Sequence, residues 1–84
     1  MMVVQRVTID VPEKVLLAEK MDATAFGREL RVLAAIKMYE LGRLTSGRAA
    51  ELAGMSRVEF LLVLQRYNVF PFAAELQDLE AAYA

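Results

Sequence analysis

The side chains best suited to chemistry in this sequence are polar groups spread around a glycine at position 54. They are Arg43, Arg48, Ser56, Arg57 and Gln65. Arginine binds guanine or phosphate, and hydroxyl and amide groups exchange hydrogen bonds with base edges. In a helix-turn-helix, the first residues of the second helix and its outward positions reach the bases. We therefore predict that these five residues bind DNA, with Arg43 and Arg48 neutralising phosphates.

Side chains suited to catalysis are missing or scattered. The chain has no His and no Cys, so it lacks the commonest general base, a thiol nucleophile and the main transition-metal ligands. The carboxylates are dispersed among polar positions where solvated charges are usual, and the four glycines are isolated rather than grouped in a phosphate-binding loop. We expect no enzymatic activity, no catalytic residue, no metal and no cofactor.

Length and composition favour a small domain that associates with other proteins. The 84 residues predict one domain, and 57% of them are hydrophobic, which is more than so small a core can hide. The apolar run from Phe60 to Leu64 is far shorter than the roughly 20 residues that span a bilayer. No signal for export is present. We therefore expect a cytoplasmic protein, with no membrane contact, that forms at least a homodimer.

The N-terminal segment alternates in a way that predicts a strand over Val3–Val11. Val7, Ile9 and Val11 fall on its apolar face. Because a lone strand leaves its backbone groups unpaired, we expect it to pair with the same strand of a second copy. This places those three residues in a dimer interface.

The opposite face of that strand carries Arg6 and Thr8. If two paired strands entered a major groove, these side chains from both copies would point at the bases. The alternative is that they form only the solvated face of a strand.

Four helices are predicted after the strand. The first covers about Pro12 to Met21, and the second covers about Ala25 to Leu41, with Asp22 or Thr24 as its N-cap and Gly42 as its C-cap. Thr45 or Ser46 caps the third, which ends at Gly54. Ser56 begins the fourth with a capping box to Glu59.

The third and fourth helices have the layout of a helix-turn-helix. Small side chains at Ala49, Ala50 and Ala53 would let the helices approach closely, and Gly54 would form the turn. The wedge between the helices would be filled by Met55, Phe60 and Val63. The alternative is an ordinary helical hairpin with small residues at its crossing.

The C-terminal segment differs in charge from the rest. Asn68 and Pro71 end the fourth helix, Val69–Phe72 is expected to be extended, and residues 73–84 form a weak amphipathic helix. No Lys or Arg follows Arg66, whereas three acidic residues do. Apolar side chains at near-helical spacing suit helix-in-groove binding to a partner. The predicted partner-binding residues are Phe70, Phe72, Leu76, Leu79 and Tyr83.

Two stretches resemble known families. Gln5 to Leu16, followed by Thr24 to Tyr39, resembles the strand and helices of ribbon-helix-helix repressors. The run from Gly42 to Phe60 (GRLTSGRAAELAGMSRVEF) is more specific. It resembles a family of small, poorly characterised prokaryotic proteins regarded as VapB-like antitoxins with a helix-turn-helix.

The resemblance implies a DNA-binding antitoxin of a type II toxin–antitoxin system. Such an antitoxin binds operator DNA, represses its own operon and neutralises a ribonuclease toxin of the PIN-domain class. The implied fold is mostly α, with an N-terminal ribbon-helix-helix-like strand that pairs across a dimer. It divides into residues 1–42 for dimerisation, 43–68 for the helix-turn-helix and 69–84 for an acidic tail.

A second function is also compatible with the sequence. The pI of about 5.4 is not that of a strong DNA-binding protein, and the segment from Val58 to Leu64 is apolar on almost every side. The alternative is a helical protein-interaction subunit that does not bind DNA. Its interface would use Leu61, Leu62, Phe70 and Phe72.

Overall fold

Helices are the regular secondary structure of the part of the chain that the structure describes. The computed structural model describes residues 3–70. Its helices are α1 (Glu13–Glu19), α2 (Ala23–Glu40), α3 (Ser46–Ala53) and α4 (Arg57–Arg66). All four were predicted, with boundaries that differ by at most about two residues. The predicted extended segment beyond residue 70 and the helix over 73–84 lie outside the described residues.

The predicted N-terminal strand is wrong. Within residues 3–70 no strand is present, and residues 3–12 form neither strand nor helix. Alternating polar and apolar residues would give a strand one polar and one apolar face. A strand also needs a neighbouring strand with which its backbone groups exchange hydrogen bonds. The predicted ribbon-helix-helix arrangement is therefore wrong. The paired sheet in which Val7, Ile9 and Val11 were placed is wrong for the same reason. Val7 is 82% exposed and Ile9 is 56% exposed.

Side-chain caps start the three longest helices. Asp22 Oδ1 accepts from the Ala25 amide at 2.8 Å, and Thr45 Oγ1 accepts from the Arg48 amide at 3.2 Å. Ser56 Oγ accepts from the Glu59 amide at 3.1 Å, and the Glu59 carboxylate accepts from the Ser56 amide at 3.4 Å. The predicted capping box is confirmed, and of the paired cap candidates Asp22 and Thr45 are the ones used.

Each helix of this range ends in the same way. A residue with positive φ follows the helix and donates its amide to the carbonyl three positions back. The next amide then bonds the carbonyl five positions back, which is the Schellman motif. The left-handed residues are Lys20 (φ 57°), Gly42 (φ 76°), Gly54 (φ 74°) and Asn68 (φ 56°).

The core lies between the second half of α2, α3 and α4. Its buried apolar residues are Ala35, Ile36, Tyr39, Ala49, Ala50, Phe60, Leu61, Leu64 and Val69. The rings of Tyr39 and Phe60 meet edge to face, with centroids 5.8 Å apart and planes at 88°. All these residues lie at or after Ala35, since none of residues 3–34 is buried.

No helix within residues 3–70 is long and apolar enough to cross a bilayer.

Candidate nucleic-acid interface

The candidate interface is built on α3, α4 and the three-residue turn that joins them. Gly54 takes the left-handed conformation that ends α3, and Ser56 caps α4 two residues later. Ala49 and Ala50 are 0% and 2% exposed, so the small side chains lie at the helix contact as the sequence predicted. Phe60 is fully buried between the helices of the core, again as predicted. The turn and the close packing fix how the two helix N-termini are placed.

Arg57 links the starts of the two helices. Its Nε donates to Ser46 Oγ at 3.0 Å, across eleven residues of sequence. Ser46 is the first residue of α3 and is only 2% exposed. The sequence suggested Arg57 as a base-reading residue, but this hydrogen bond also gives it a role in holding α4 against α3. The sequence indicated Ser46 only as a possible cap, and no local signal indicated this contact.

The outer face of α4 differs from the predicted one at position 61. Leu61 was assigned to the interface of the alternative protein-interaction subunit, yet it is 1% exposed and belongs to the core. It shares a face with Phe60 and Leu64, which lie one residue before it and three after. The exposed residues of α4 are Arg57, Glu59, Leu62, Gln65 and Arg66. Gln65 thus keeps an exposed position, on the outer side of the helix.

Arg43 and Arg48 are both exposed near the start of α3. Arg43 directly follows the left-handed Gly42, and its amide donates to the Met38 carbonyl at 2.8 Å. Arg48 Nη1 lies 3.1 Å from Glu51 Oε2, and the Arg48 side chain is 72% exposed. An exposed ion pair of this kind is weak and exchanges readily for a stronger anionic partner. Arg48 is therefore accessible to phosphate.

The charge of this region is positive. Residues 42–66 contain four arginines and two glutamates, a net charge of +2. Both glutamates already interact within the protein, Glu51 with Arg48 and Glu59 with the Ser56 amide. The arrangement can attract a polyanion, because its arginines outnumber its glutamates.

Two predicted residues lie in the N-terminal segment, and only one of them approaches this region. Arg6 lines a groove of about 790 Å³ together with Arg31 and Arg48. Thr8 instead lines a separate groove with Phe26 and Leu30 on α2. The sequence did not predict that Arg6 and Arg48 border one groove.

Arg31 is a positioning residue that the sequence did not reveal. Its Nε donates to the Leu52 carbonyl at 2.8 Å, which lies in the last turn of α3. A guanidinium at a helix C-terminus satisfies a carbonyl that has no partner within the helix and complements the helix dipole. The two residues are 21 positions apart, so no local sequence signal could have indicated the contact.

Of the predicted partner-binding residues, only Phe70 is described, and it is 81% exposed. Phe72, Leu76, Leu79 and Tyr83 lie outside the described residues. Within residues 3–70 no group of three or more His, Cys, Asp or Glu side chains is placed to hold a metal ion.

The fold and the site together define a small helical protein with a positively charged pair of helices open to solvent. The chain belongs to the family described as "Uncharacterised protein family (UPF0175)", whose model matches residues 1–83. That match covers nearly the whole chain, including the residues of α3 and α4.

Two relatives from archaea carry the name UPF0175 protein. The one from Archaeoglobus fulgidus is 42% identical over 52 residues, which is 62% of this chain. The match spans only 59% of that relative's own length. The one from Aeropyrum pernix is 31% identical over 81 residues, covering 93% of this chain and 86% of the relative. No solved structure matches the chain significantly.

Proposed function

We propose that this protein is a DNA-binding antitoxin that represses its own operon. The observation that carries the proposal is the α3–α4 pair, in which a tight turn, buried alanines and a net charge of +2 accompany exposed arginines. These are the features with which a helix-turn-helix approaches a phosphate backbone and places a helix start at the bases. In this proposal Arg43 and Arg48 contact phosphates, and Ser56, Arg57 and Gln65 contact bases.

Arg48 offers a sharp test, because α2 contains a matched control. Arg48–Glu51 and Lys37–Glu40 are both exposed i,i+3 ion pairs, at 3.1 and 2.7 Å. Replacing either cation with Gln should change stability by at most about 0.5 kcal/mol, since both pairs are at the surface. We expect Arg48→Gln to weaken DNA binding and to lower the slope of log K against log salt by about one. Lys37→Gln should leave both unchanged.

The measurement is fluorescence anisotropy with the DNA upstream of the protein's own gene, titrated at several salt concentrations. Equal losses of DNA affinity in the two variants would show that binding depends on the total positive charge of the protein and not on α3. No binding by the unaltered protein, with or without a partner, would overturn the proposal. That result would instead favour the alternative, a helical protein-interaction subunit. Two residues of its predicted interface are accessible, since Leu62 is 43% exposed and Phe70 is 81% exposed.

The antitoxin part of the proposal rests on the sequence resemblance over Arg43–Phe60 and on the acidic C-terminal composition. In this proposal the protein is not an enzyme, and its partner is a PIN-type ribonuclease. An acidic, apolar segment is suited to a basic nuclease cleft. The proposed contacts are Phe70, Phe72, Leu76, Leu79 and Tyr83.

Deleting residues 73–84 tests the assignment of toxin binding to the tail. The truncated protein should keep its helical circular dichroism and its DNA affinity but should no longer inhibit the nuclease encoded beside it. The Arg48→Gln variant is the control, because it should still neutralise the nuclease. Continued inhibition by the truncated chain would exclude the tail as the neutralising segment.

A further inference from the structure

An open apolar groove lies between α1 and the first half of α2. Its volume is about 450 Å³. None of the apolar side chains that line it is buried, and they are Val15, Ala18, Phe26, Leu30 and Leu33. Exposed apolar side chains that border one groove mark a place where another segment binds.

The helix α1 is too short to be stable without packing. It has seven residues, no side-chain cap at its N-terminus and no buried side chain. Isolated helices shorter than about 12 residues are marginal in water. Residues 3–70 leave the groove beside α1 open, so a segment outside this range is needed to cover it.

The chain leaves α4 beside this groove. Tyr67, the C-cap of α4, donates its hydroxyl hydrogen to Glu29 Oε1 at 3.5 Å, and Glu29 lines the groove. Phe70, three residues later, is 81% exposed. Residues 71–84 follow it in the sequence and lie outside the described residues. These 14 residues would span about 20 Å as a helix or about 45 Å when extended, so they can reach every part of a groove of this size.

The apolar spacing of residues 71–84 suits this groove. Phe72, Leu76, Leu79 and Tyr83 are four, three and four residues apart, which places them along one side of a helix. The three acidic residues of the segment lie outside this spacing and can stay in solvent. The charged residues that line the groove are Lys14, Glu19 and Glu29. Apolar contact, and not charge, therefore favours binding of the segment.

We infer that residues 72–83 bind the α1–α2 groove of their own chain, with Phe72, Leu76, Leu79 and Tyr83 turned toward it. Attachment to α4 favours this occupant, because a tethered segment has an effective concentration on the order of millimolar. No arginine of α3 or α4 lines the groove, so binding of the segment does not cover them. The inference is independent of DNA binding. If the same four side chains also bind the nuclease, the nuclease has to displace them from the groove.

Disulfide formation between introduced cysteines tests this placement, because the sequence contains no cysteine. Leu33→Cys puts a thiol in the groove, and Leu62→Cys puts a matched thiol on α4, at positions that are 41% and 43% exposed. Each is combined with Leu79→Cys in the full chain. We expect an intramolecular disulfide with Leu33→Cys and little or none with Leu62→Cys, since the two Cα atoms must come within about 7 Å. Non-reducing electrophoresis and mass spectrometry measure the product.

The same two pairs are made with Leu76→Cys, so that a shift by one helical turn does not hide the contact. Equal yields at Leu33→Cys and Leu62→Cys would overturn the inference. Failure of Leu33→Cys to react with either tail cysteine would do so as well. A disulfide between two chains would show that the segment of another copy occupies the groove, which would also overturn it.

Hydrogen exchange tests whether the segment stabilises α1. Leu79→Asp should make the α1 amides exchange severalfold faster, because it puts a charge into an apolar contact. Gln77→Asp is the control, since it adds the same charge outside the apolar spacing and should leave α1 unchanged. Exchange in α3 and α4 should be the same in both variants. Unchanged α1 exchange in Leu79→Asp, or an equal increase in Gln77→Asp, would contradict the inference.

Discussion

Four residues with positive φ determine where the helices of residues 3–70 end. Two of them, Gly42 and Gly54, adopt this conformation without a steric penalty, whereas Lys20 and Asn68 adopt it with a side chain present. For a residue with a Cβ the left-handed conformation costs roughly 1–2 kcal/mol. Gly54 matters most for the proposed function, because the turn between α3 and α4 depends on it.

Replacing Gly54 with Ala should lower the free energy of unfolding by about 1 kcal/mol, since φ is 74° at this position. The added Cβ would lie 3.7 Å from Arg31 Nη2, an ordinary contact, so backbone strain is the cause. Urea unfolding measures the difference.

The control for that variant is Gly47→Ala in the same helix. Nothing lies within 4 Å of the Cβ position at Gly47, and its φ is not positive. This replacement should stabilise the protein by about 0.5 kcal/mol, because it lowers the entropy of the unfolded chain. If both replacements changed the free energy of unfolding in the same direction, the positive φ of Gly54 would not explain its effect.

The helix α4 shows how burial, rather than composition, gives a helix its two sides. Its residues from Val58 to Leu64 are almost all apolar, so the sequence alone indicates no clear inner face. In the structure Phe60, Leu61 and Leu64 are buried, while Leu62 is 43% exposed. The inner face is set by contact with α3 and with the Tyr39 ring of α2.

We predict that Phe60→Ala costs about 3–5 kcal/mol of unfolding free energy, because it leaves a cavity in the core. For a domain of this size that loss would leave little stability or none. Leu62→Ala, on the outer side of the same helix, should cost less than about 1 kcal/mol. Chemical denaturation of both variants, followed by circular dichroism, tests the assignment of the inner face. Similar losses would show that α4 is buried on both sides.

At the scale of the whole molecule, the described chain is divided into a half with a core and a half without one. All buried residues lie at or after Ala35, whereas residues 3–34 have none. Packing therefore contributes less to the stability of residues 3–34 than to that of residues 35–70. The homodimer that the composition predicts would place two copies of α3 and α4 on one assembly.

Because association stabilises a homodimer by mass action, the temperature of its unfolding midpoint should rise with protein concentration. Differential scanning fluorimetry or circular dichroism over a hundredfold range of concentration measures this. An unchanged midpoint for the unaltered protein would count against the dimer.

The local features of the fold could be predicted from the sequence. Asp22, Thr45 and Ser56 cap helices as expected, and Gly54 ends α3. These features are readable because each hydrogen bond joins groups within about five residues, so that a short stretch of sequence contains both partners. The alanines of α3 likewise predicted close packing against α4, because small size is a property of the residue itself.

The features that depend on distant partners could not be predicted. Polar and apolar residues do alternate over Val3–Val11. A strand, however, needs another strand to pair with, and none lies within residues 3–70. The burial of Leu61, the bond from Arg57 to Ser46 and the bond from Arg31 to Leu52 also involve groups brought together only by folding. The sequence by itself determined where helices begin and end, because capping is local. The tertiary structure decided which face of α4 is buried and which arginines support the helices, because packing and hydrogen bonding between elements depend on where the other elements lie.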